Sequence, residues 1–337
     1  MRFIGVDLHS NSITVCFLTK RGQESLETFA LSSVADFQKS LRRTDRVAVE
    51  ATGNTRWFVG QIKELVAQVV VVNPNQFEVI RKSVKKTDRH DARALAQFLS
   101  KDMLPEARLK SDLASQINSL AETRDKLVKL RTTFVNKLHA LHRGRGISSR
   151  KSQFLSEKGL NAVLEREWEI TTRVEIEVII AQIRSIKEGI ARLDTQLVAS
   201  GKQLNGHRNL ISIKGIGPRA AAILLSVIGE VGDFESDDKL FSYFGIVPRV
   251  SNSNQTVQHG RITKRGSKLG RTTLVQCTLV AKKYSVYLNK FYQRIKEKKG
   301  GGKAIIATAR KFLGIIYRTL KHNWVFADFP NFVLAED

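Results

Sequence analysis

Cysteine, proline and methionine are scarce in this chain of 337 residues, with two, five and two copies. The two cysteines, Cys16 and Cys277, lie far apart and outside any Cys-x-x-Cys pair, which excludes a disulfide framework and a zinc cluster and fits a reducing compartment. Both fall in apolar runs and are expected to be small buried residues. No apolar run approaches the roughly 18 residues of a membrane span. Asp7 and His9 interrupt the opening MRFIGVDLHS where a secretory leader needs its apolar centre. A soluble, cytoplasmic protein with no membrane partner is expected. Acid is also in short supply: 32 Asp and Glu face 56 Lys and Arg, for a net charge of +24. A field of that sign favours a polyanion, most commonly nucleic acid.

What is present is enough to fold. Hydrophobic residues make up 42% of a chain about twice the length of one ordinary domain, so two or three units with real cores are expected. Phe3 to Leu8, Ile13 to Leu18, Val47 to Glu50 and Val69 to Val72 read as strands, the first two joined as a hairpin. Between and after them, Val34 to Leu41, Thr55 to Val66 and Asn75 to Val84 have helical spacing, which together describe an α/β domain with a mixed sheet. A helix over 88 to 100 starts at Thr87 or Asp88. Beyond Pro105, two long amphipathic stretches (Ile117 to Leu141 and about Glu165 to Leu197) flank a polar, basic segment from His142 to Lys158. They predict an antiparallel helical hairpin or a dimerising coiled coil. From about Asn205 the chain reads as mainly helical. A Ser/Asn-rich loop is expected at Ser251 to Gln255, and a mobile loop at Lys298 to Lys303, KKGGGK.

The positive charge is concentrated. Lys239 to Lys303 holds fifteen basic residues and one acid, Glu297. Contacts with backbone phosphates and a steep salt dependence are expected of such a segment. IKGIGPRAA at 213 to 221 matches the turn of a helix-hairpin-helix element, whose glycines expose amides to a phosphate; a plain turn between core helices is the alternative. The candidate nucleic-acid contacts are Lys85, Lys86, Arg89, Lys214, Arg219, Arg249, Arg261, Lys264, Arg265, Lys268 and Arg271.

Against this basic background four acids stand out. Asp7 closes the first strand, Glu50 ends a later one at VAVEATGN, and Asp88 and Asp91 share one side of a helix. Carboxylates brought together repel one another unless a cation neutralises them, and hard oxygen ligands select Mg²⁺ or Mn²⁺. Such ions activate nucleophiles at phosphodiesters. Taken singly, Asp7 is a turn former and Asp88 a helix cap. His9, following Asp7, has two readings, a contact to a metal or phosphate and, the favoured one, a strand-end turn residue.

The order and the flanking GVDLHS, VEATGN and KTDRHDARALA resemble the RuvC-like branch of the ribonuclease H fold and, more narrowly, the DEDD-type insertion-sequence transposases, a family that includes a pilin-gene invertase and the bridge-RNA-guided recombinases. ISIKGIGPRAAAILLSVIGEVGDF, LFSYFGIVPRVSNSNQ and HGRITKRGSKLGR resemble that family's second conserved domain. The resemblance implies three parts: a RuvC-like metal-binding domain over 1–104, a helical dimerisation segment over 105–204 and a mainly α transposase domain over 205–337. It implies a composite site in which Asp7, Glu50, Asp88 and Asp91 hold Mg²⁺ or Mn²⁺ and a serine attacks DNA to form a phosphoserine intermediate. Counting five residues from Pro248 gives Ser253. Ser251 competes with it, because Asn254 stands where relatives usually have Gly and ITKRGS at 262–267 departs from the usual ISKRGN at two positions. Donor and target DNA, a noncoding guide RNA and a homodimer or dimer of dimers are the partners implied, in the cytoplasm of a bacterium or archaeon at the nucleoid. The rival readings are a metal-dependent nuclease or junction resolvase using water, a site-specific DNA invertase, and a nucleic-acid-binding regulator without chemistry.

Overall fold

The computed structural model describes residues 1–74, 76–77, 87–253 and 256–335, with the side chains of 250–253 and 256–259 left outside that description. Of the helix expected at 75 to 84 only Gln76 and Phe77 are described; the rest of it, with Lys85 and Lys86, lies outside the described residues. Contacts divide the chain into two units, Met1–Leu109 and Lys110–Asp337.

The N-terminal unit is built on β1 (Arg2–Leu8), β2 (Ser12–Thr19), β3 (Glu24–Ala30), β4 (Arg46–Glu50) and β5 (Gln68–Val72), in the order β3-β2-β1-β4-β5. β1, β2 and β3 pair antiparallel, whereas β1, β4 and β5 run parallel. Helices α1 (Val34–Ser40), α2 (Thr55–Ile62) and α3 (Asp88–Ser100) cover the sheet. The pleat sends alternate residues to opposite faces. Ile4, Val6 and Leu8 of β1 join Val47 and Val49 of β4 in the core shared with Phe37 of α1 and Phe58 of α2. Phe3 and Ala48 join the other core, with Leu95 and Leu99 of α3. Each such leucine buried on α3 contributes about 1.5–3 kcal/mol. By the same alternation Asp7 and Glu50 belong to the α3 face.

Gly5 sets how closely α3 lies on that face. A Cβ there would stand 2.0 Å from the Ala92 carbonyl oxygen and 2.5 Å from the Ala96 nitrogen. Only a residue without a side chain lets helix and strand meet so closely. Just before β4, the fully buried Asp45 carboxylate accepts hydrogen bonds from Arg2 Nη2 at 2.6 Å, Arg2 Nε at 3.2 Å and the Arg42 amide at 2.9 Å. Cys16 is buried as expected, as is Cys277 in the second unit, and burial pushes the two thiols up to about 11 and about 12.

The second unit begins with α4 (Asp112–Arg143), α5 (Glu157–Leu164) and α6 (Ile170–Gly201). α4 and α6 run in opposite directions side by side, as shown by Arg124 on Asp194, Leu127 against Gly189 and Lys137 on Glu175. α5 and a 3-10 turn at Lys151–Leu155 fold back over the far end, burying Phe154, Leu160 and Val163 with Val135, Leu138, Ile176 and Ile180. The rest is α7 (His207–Ile211), α8 (Pro218–Ile228), α9 (Asp237–Tyr243), a hairpin of β6 (Pro248–Ser253) with β7 (Thr256–Ile262), then α10 (Lys268–Tyr284), α11 (Val286–Lys299), α12 (Gly301–Lys321) and a small pair, β8 (Phe326–Asp328) and β9 (Val333–Leu334). Their core includes Leu224, Ile228, Phe244, Leu274, Phe312 and Ile316.

Two loop expectations are corrected here. Ser251–Ser253 are not loop but the end of β6, because pairing with β7 supplies their backbone with ladder partners whatever their side-chain propensity. KKGGGK is not a loop: Lys298 and Lys299 finish α11, Gly300 alone turns the chain at φ 78°, and α12 begins at Gly301. The buried face of α12, from Ala304 to Thr319, outweighs the poor helix propensity of its first glycines. Among the described residues, no helix is long and apolar enough to cross a membrane.

Candidate active site

Asp7 is the penultimate residue of β1, opposite Thr14 of β2. β1 and β4 are in parallel register with Val6 beside Val49, so Asp7 and Glu50 follow at neighbouring strand ends on the α3 face. The segment after Glu50 is tied in place. Thr55 Oγ1 donates to the Glu50 carbonyl oxygen at 2.7 Å and accepts from the Thr52 amide at 2.8 Å, and Asn54 Nδ2 donates to the His9 carbonyl oxygen at 2.9 Å. VEATGNT therefore joins two strand ends.

α3 supplies the other two acids. Thr87 caps it, its hydroxyl accepting from the His90 amide at 3.3 Å, so Asp88 is the first helical residue rather than the cap. Asp88 and Asp91 lie in the first turn, where the helix dipole favours negative charge. The approach fixed at Gly5 brings this turn to the end of β1. Among the described residues, ligand atoms of Asp7, His9 and Asp88 gather within 4.8 Å of one another. His9 Nε2 stands 3.1 Å from Asp7 Oδ2 and 3.3 Å from Asp88 Oδ1. Glu50 and the half-buried Asp91 stand outside that trio.

Burial raises the Asp7 carboxyl above its ordinary value, and the charges of Asp88 and Asp91 push it the same way against the opposing pull of His9. Burial works to lower His9, but the Asp7 and Asp88 carboxylates outweigh it and the imidazole is raised. Carboxylate oxygens from a strand and a helix, gathered against their mutual repulsion and coupled to a third acid, form a donor set that fits a hard divalent cation. His9 is the residue sequence reasoning undervalued. Its place two residues after Asp7 is the one signal in the sequence, while its contact with Asp88 depends on a helix that starts almost eighty residues later.

The basic candidates divide by what they touch. Arg89, Lys214, Arg249, Arg261, Lys264, Arg265 and Lys268 are exposed. Arg219 is engaged by Asp194 at 3.1 Å, a carboxylate that also holds Arg124. Arg271 Nη1 donates to the carbonyl oxygens of Phe244 at 3.1 Å and Gly266 at 3.0 Å, which makes it a brace for the loop after β7. At the 213 to 221 turn, Gly215 has φ 109°, and a Cβ there would meet the Ala281 nitrogen at 2.7 Å. Packing on α10 accounts for that glycine, while Gly217, before α8, is exposed. Ser253 ends β6 opposite Thr256, and Ser251 lies two residues earlier on the same strand. Their side chains lie outside the described residues.

Two family models and several curated proteins match the chain. A transposase model of the DEDD, IS110 type matches residues 4–144, and a model described as the Transposase IS116/IS110/IS902 family matches residues 207–293. The transposase for insertion sequence element IS1111A of Coxiella burnetii is 23% identical over 95% of this chain and 90% of its own length. The pilin gene-inverting protein of Moraxella lacunata is 26% identical over 95% and 96%. A probable family 20 transposase of Pseudomonas aeruginosa is 25% identical over 68% and 69%. With both of its conserved segments matched in order, the chain belongs to the DEDD-type IS116/IS110/IS902 family of insertion-sequence transposases.

Proposed function

We propose that this protein cleaves and rejoins DNA as the transposase of an insertion sequence, using Asp7, Glu50, Asp88 and Asp91 to hold Mg²⁺ or Mn²⁺ and Ser253 as the nucleophile. The observation that carries the reading is the convergence of Asp7 and Asp88, from a strand and a helix far apart in sequence, with Asp91 adding like charge. In this reading residues 1–104 form a RuvC-like domain, 105–204 a dimerisation segment and 205–337 the transposase domain.

The bound cation supplies Lewis-acid polarisation of the scissile phosphate and eases loss of a proton from the attacking hydroxyl. The chain's own groups do the rest. The Ser253 Oγ–phosphorus bond forms as one strand P–O bond breaks; the hydroxyl proton passes to solvent base and the departing strand oxygen takes one up. The reverse attack by a strand hydroxyl on the phosphoserine rejoins DNA and frees the serine. Arg249, Arg261, Lys264, Arg265 and Lys268 are exposed cations suited to phosphate backbones. A guide RNA pairing with donor and target would choose the sequence while these residues hold backbones. Exposed Ile170, Val174 and Val178, four residues apart along α6, support self-association through the helical segment.

The test is to co-express the chain with its native flanking DNA, add Mg²⁺ and labelled candidate DNA, denature, and look for label on the protein. An adduct lost in Ser253→Ala and Asp7→Ala but kept in Ser251→Ala is expected. Cleaved DNA without adduct, unaffected by Ser253→Ala, would overturn the serine mechanism in favour of hydrolysis by water.

A further inference from the structure

The far end of the α4–α6 pair holds a feature that strand chemistry does not use. A cavity of about 320 Å³ opens there, lined in part by His142, Ser149, Phe154, Lys158 and Arg166. His142 is only 3% exposed, yet neither ring nitrogen has a hydrogen-bond partner, and the buried Ser149 hydroxyl has none either. Such groups cost free energy unless something satisfies them. The imidazole is held firmly, edge-on to Phe154 at 5.0 Å and beside Trp168 at 5.4 Å. The loop carrying Ser149 is pinned by a contact of 3.1 Å between its carbonyl oxygen and His139 Nε2.

Two other polar groups of the wall are already engaged. Ser156 Oγ donates to the Gln153 carbonyl oxygen at 3.0 Å and accepts from the Gly159 amide at 3.1 Å, while Gln153 Oε1 accepts from the Arg150 amide at 3.0 Å. The buried, unpartnered polar groups of this wall are on His142 and Ser149, with the exposed Lys158 and Arg166 as cations. Among the described lining residues there is no carboxylate. The nearby Glu157 is turned onto α6 by Arg184 at 3.0 Å and Lys187 at 2.5 Å. Residues 142 to 166 hold six basic and two acidic side chains.

An anionic ligand with a planar edge that both donates and accepts hydrogen bonds fits this set. Burial holds His142 below its ordinary value, with Arg166 and His139 adding to the effect, so at neutral pH it is uncharged and offers one donor and one acceptor. A bare phosphate uses only donors, whereas a nucleobase edge uses both. The volume is at the small end of ligand cavities, suited to one nucleotide and too small for a duplex.

We propose that this cavity receives a single unpaired nucleotide, its base edge against His142 and Ser149 and its phosphate against Lys158 and Arg166. The assignment rests on the reading of the chain as one that handles nucleic acid, and it makes the tip of the helical segment a reader of single-stranded or bulged sequence as well as a spacer.

Photocrosslinking of the full chain tests it. Short single-stranded oligouridylate carrying one 4-thiouridine, and oligothymidylate carrying one 4-thiothymidine, are irradiated with the protein and the adducts mapped by mass spectrometry. Adducts at residues 142 to 166 are expected, falling about tenfold in Ser149→Val and in Lys158→Glu with Arg166→Glu, with adducts in the basic 239 to 303 segment unchanged. Because His142→Ala removes packing as well as polarity, Ala162→Trp, which adds an indole at an exposed position of the cavity lining and leaves every polar group intact, is the second variant and should lose the tip adduct; circular dichroism checks its fold. A tip adduct with only one of the two oligomers assigns the cavity to RNA or to DNA. Adducts confined to other regions, with both oligomers still bound, would overturn the cavity and leave the proposed function standing. No binding of either oligomer would overturn both.

Discussion

Putting a methyl group on Gly5 tests the geometry that brings the acids together. The added carbon of Gly5→Ala would lie 2.0 Å from the Ala92 carbonyl oxygen and 2.5 Å from the Ala96 nitrogen, both backbone atoms that no rotamer change can move aside. Restoring contact requires α3 to withdraw from β1 by about 1 Å or more, and overpacking of this kind costs about 1–3 kcal/mol. Asp88 and Asp91 ride on the first turn of α3, so the shift is passed to their separation from Asp7. A misplacement of about 1 Å at reacting groups costs on the order of a hundredfold in rate. The assay pairs thermal unfolding with Mg²⁺-dependent strand transfer. Gly5→Ala should lose several degrees of Tm and about two orders of magnitude of activity. Gly60→Ala is the control: it lies within α2 with nothing within 4 Å of its added carbon, so it should be neutral or gain up to about 1 kcal/mol. A Gly5→Ala protein with unchanged Tm and full activity would refute the account of how the helix is seated.

Mg²⁺ should stabilise the wild type by relieving repulsion between Asp7 and the Asp88 and Asp91 carboxylates, by about 2.7 kcal/mol at a hundredfold excess over Kd, and calorimetry should find no such gain in Asp7→Asn. Asp45→Ala strands the part-buried Arg2 guanidinium and should cost about 3–5 kcal/mol in denaturant titration; a loss below about 1 kcal/mol would contradict the buried pair. Lys264→Ala should weaken DNA binding and reduce the salt slope by about one, with little change in Tm, whereas Arg271→Ala should lower Tm by removing the brace on the Gly266 loop. His142 and His207 are both held below their ordinary value by burial, so the unfolded chain takes up protons more readily than the folded one. Their contribution to stability is complete above about pH 6.5 and is lost as pH falls through the lowered folded-state values; His207→Gln should flatten that acid limb in a Tm-against-pH series.

The strand-end acids were legible because their strands were. FIGVDL and RVAVE are strand-forming runs with a carboxylate at the last position or next to it, and the spacing of Asp88 and Asp91 is helical whatever surrounds it. β3 was hidden because its sequence, ESLETFA, carries two glutamates and has no buried residue; it pairs through its backbone with β2 and shows little apolar alternation. Ser251 to Ser253 and KKGGGK were misread for a related reason, since local propensity signals a loop where ladder partners and a buried helical face prevail. Gly5 was readable in principle, as an isolated glycine in a strand often marks a close backbone approach. His9 was readable only through its place beside Asp7, for its second contact, with Asp88, is long-range.

The two margins of the five-stranded sheet also bear on how this chain behaves at high concentration. An open strand edge is a template for adding a strand from another molecule. On one side β3 presents Glu24 and Glu27, with Arg93 and Gln97 of α3 reaching Glu24 at 2.7 and 3.0 Å, so the margin is charged and partly fenced. On the other, the chain returns along β5: the Asn73 amide donates to the Pro105 carbonyl oxygen at 2.9 Å, and the Ala107 amide donates to the Val71 carbonyl oxygen at 2.6 Å. The stretch that leaves the sheet thus seals it, and a truncation ending at 104 would remove this seal, leaving β5 open to intermolecular pairing and the isolated N-terminal unit prone to aggregate.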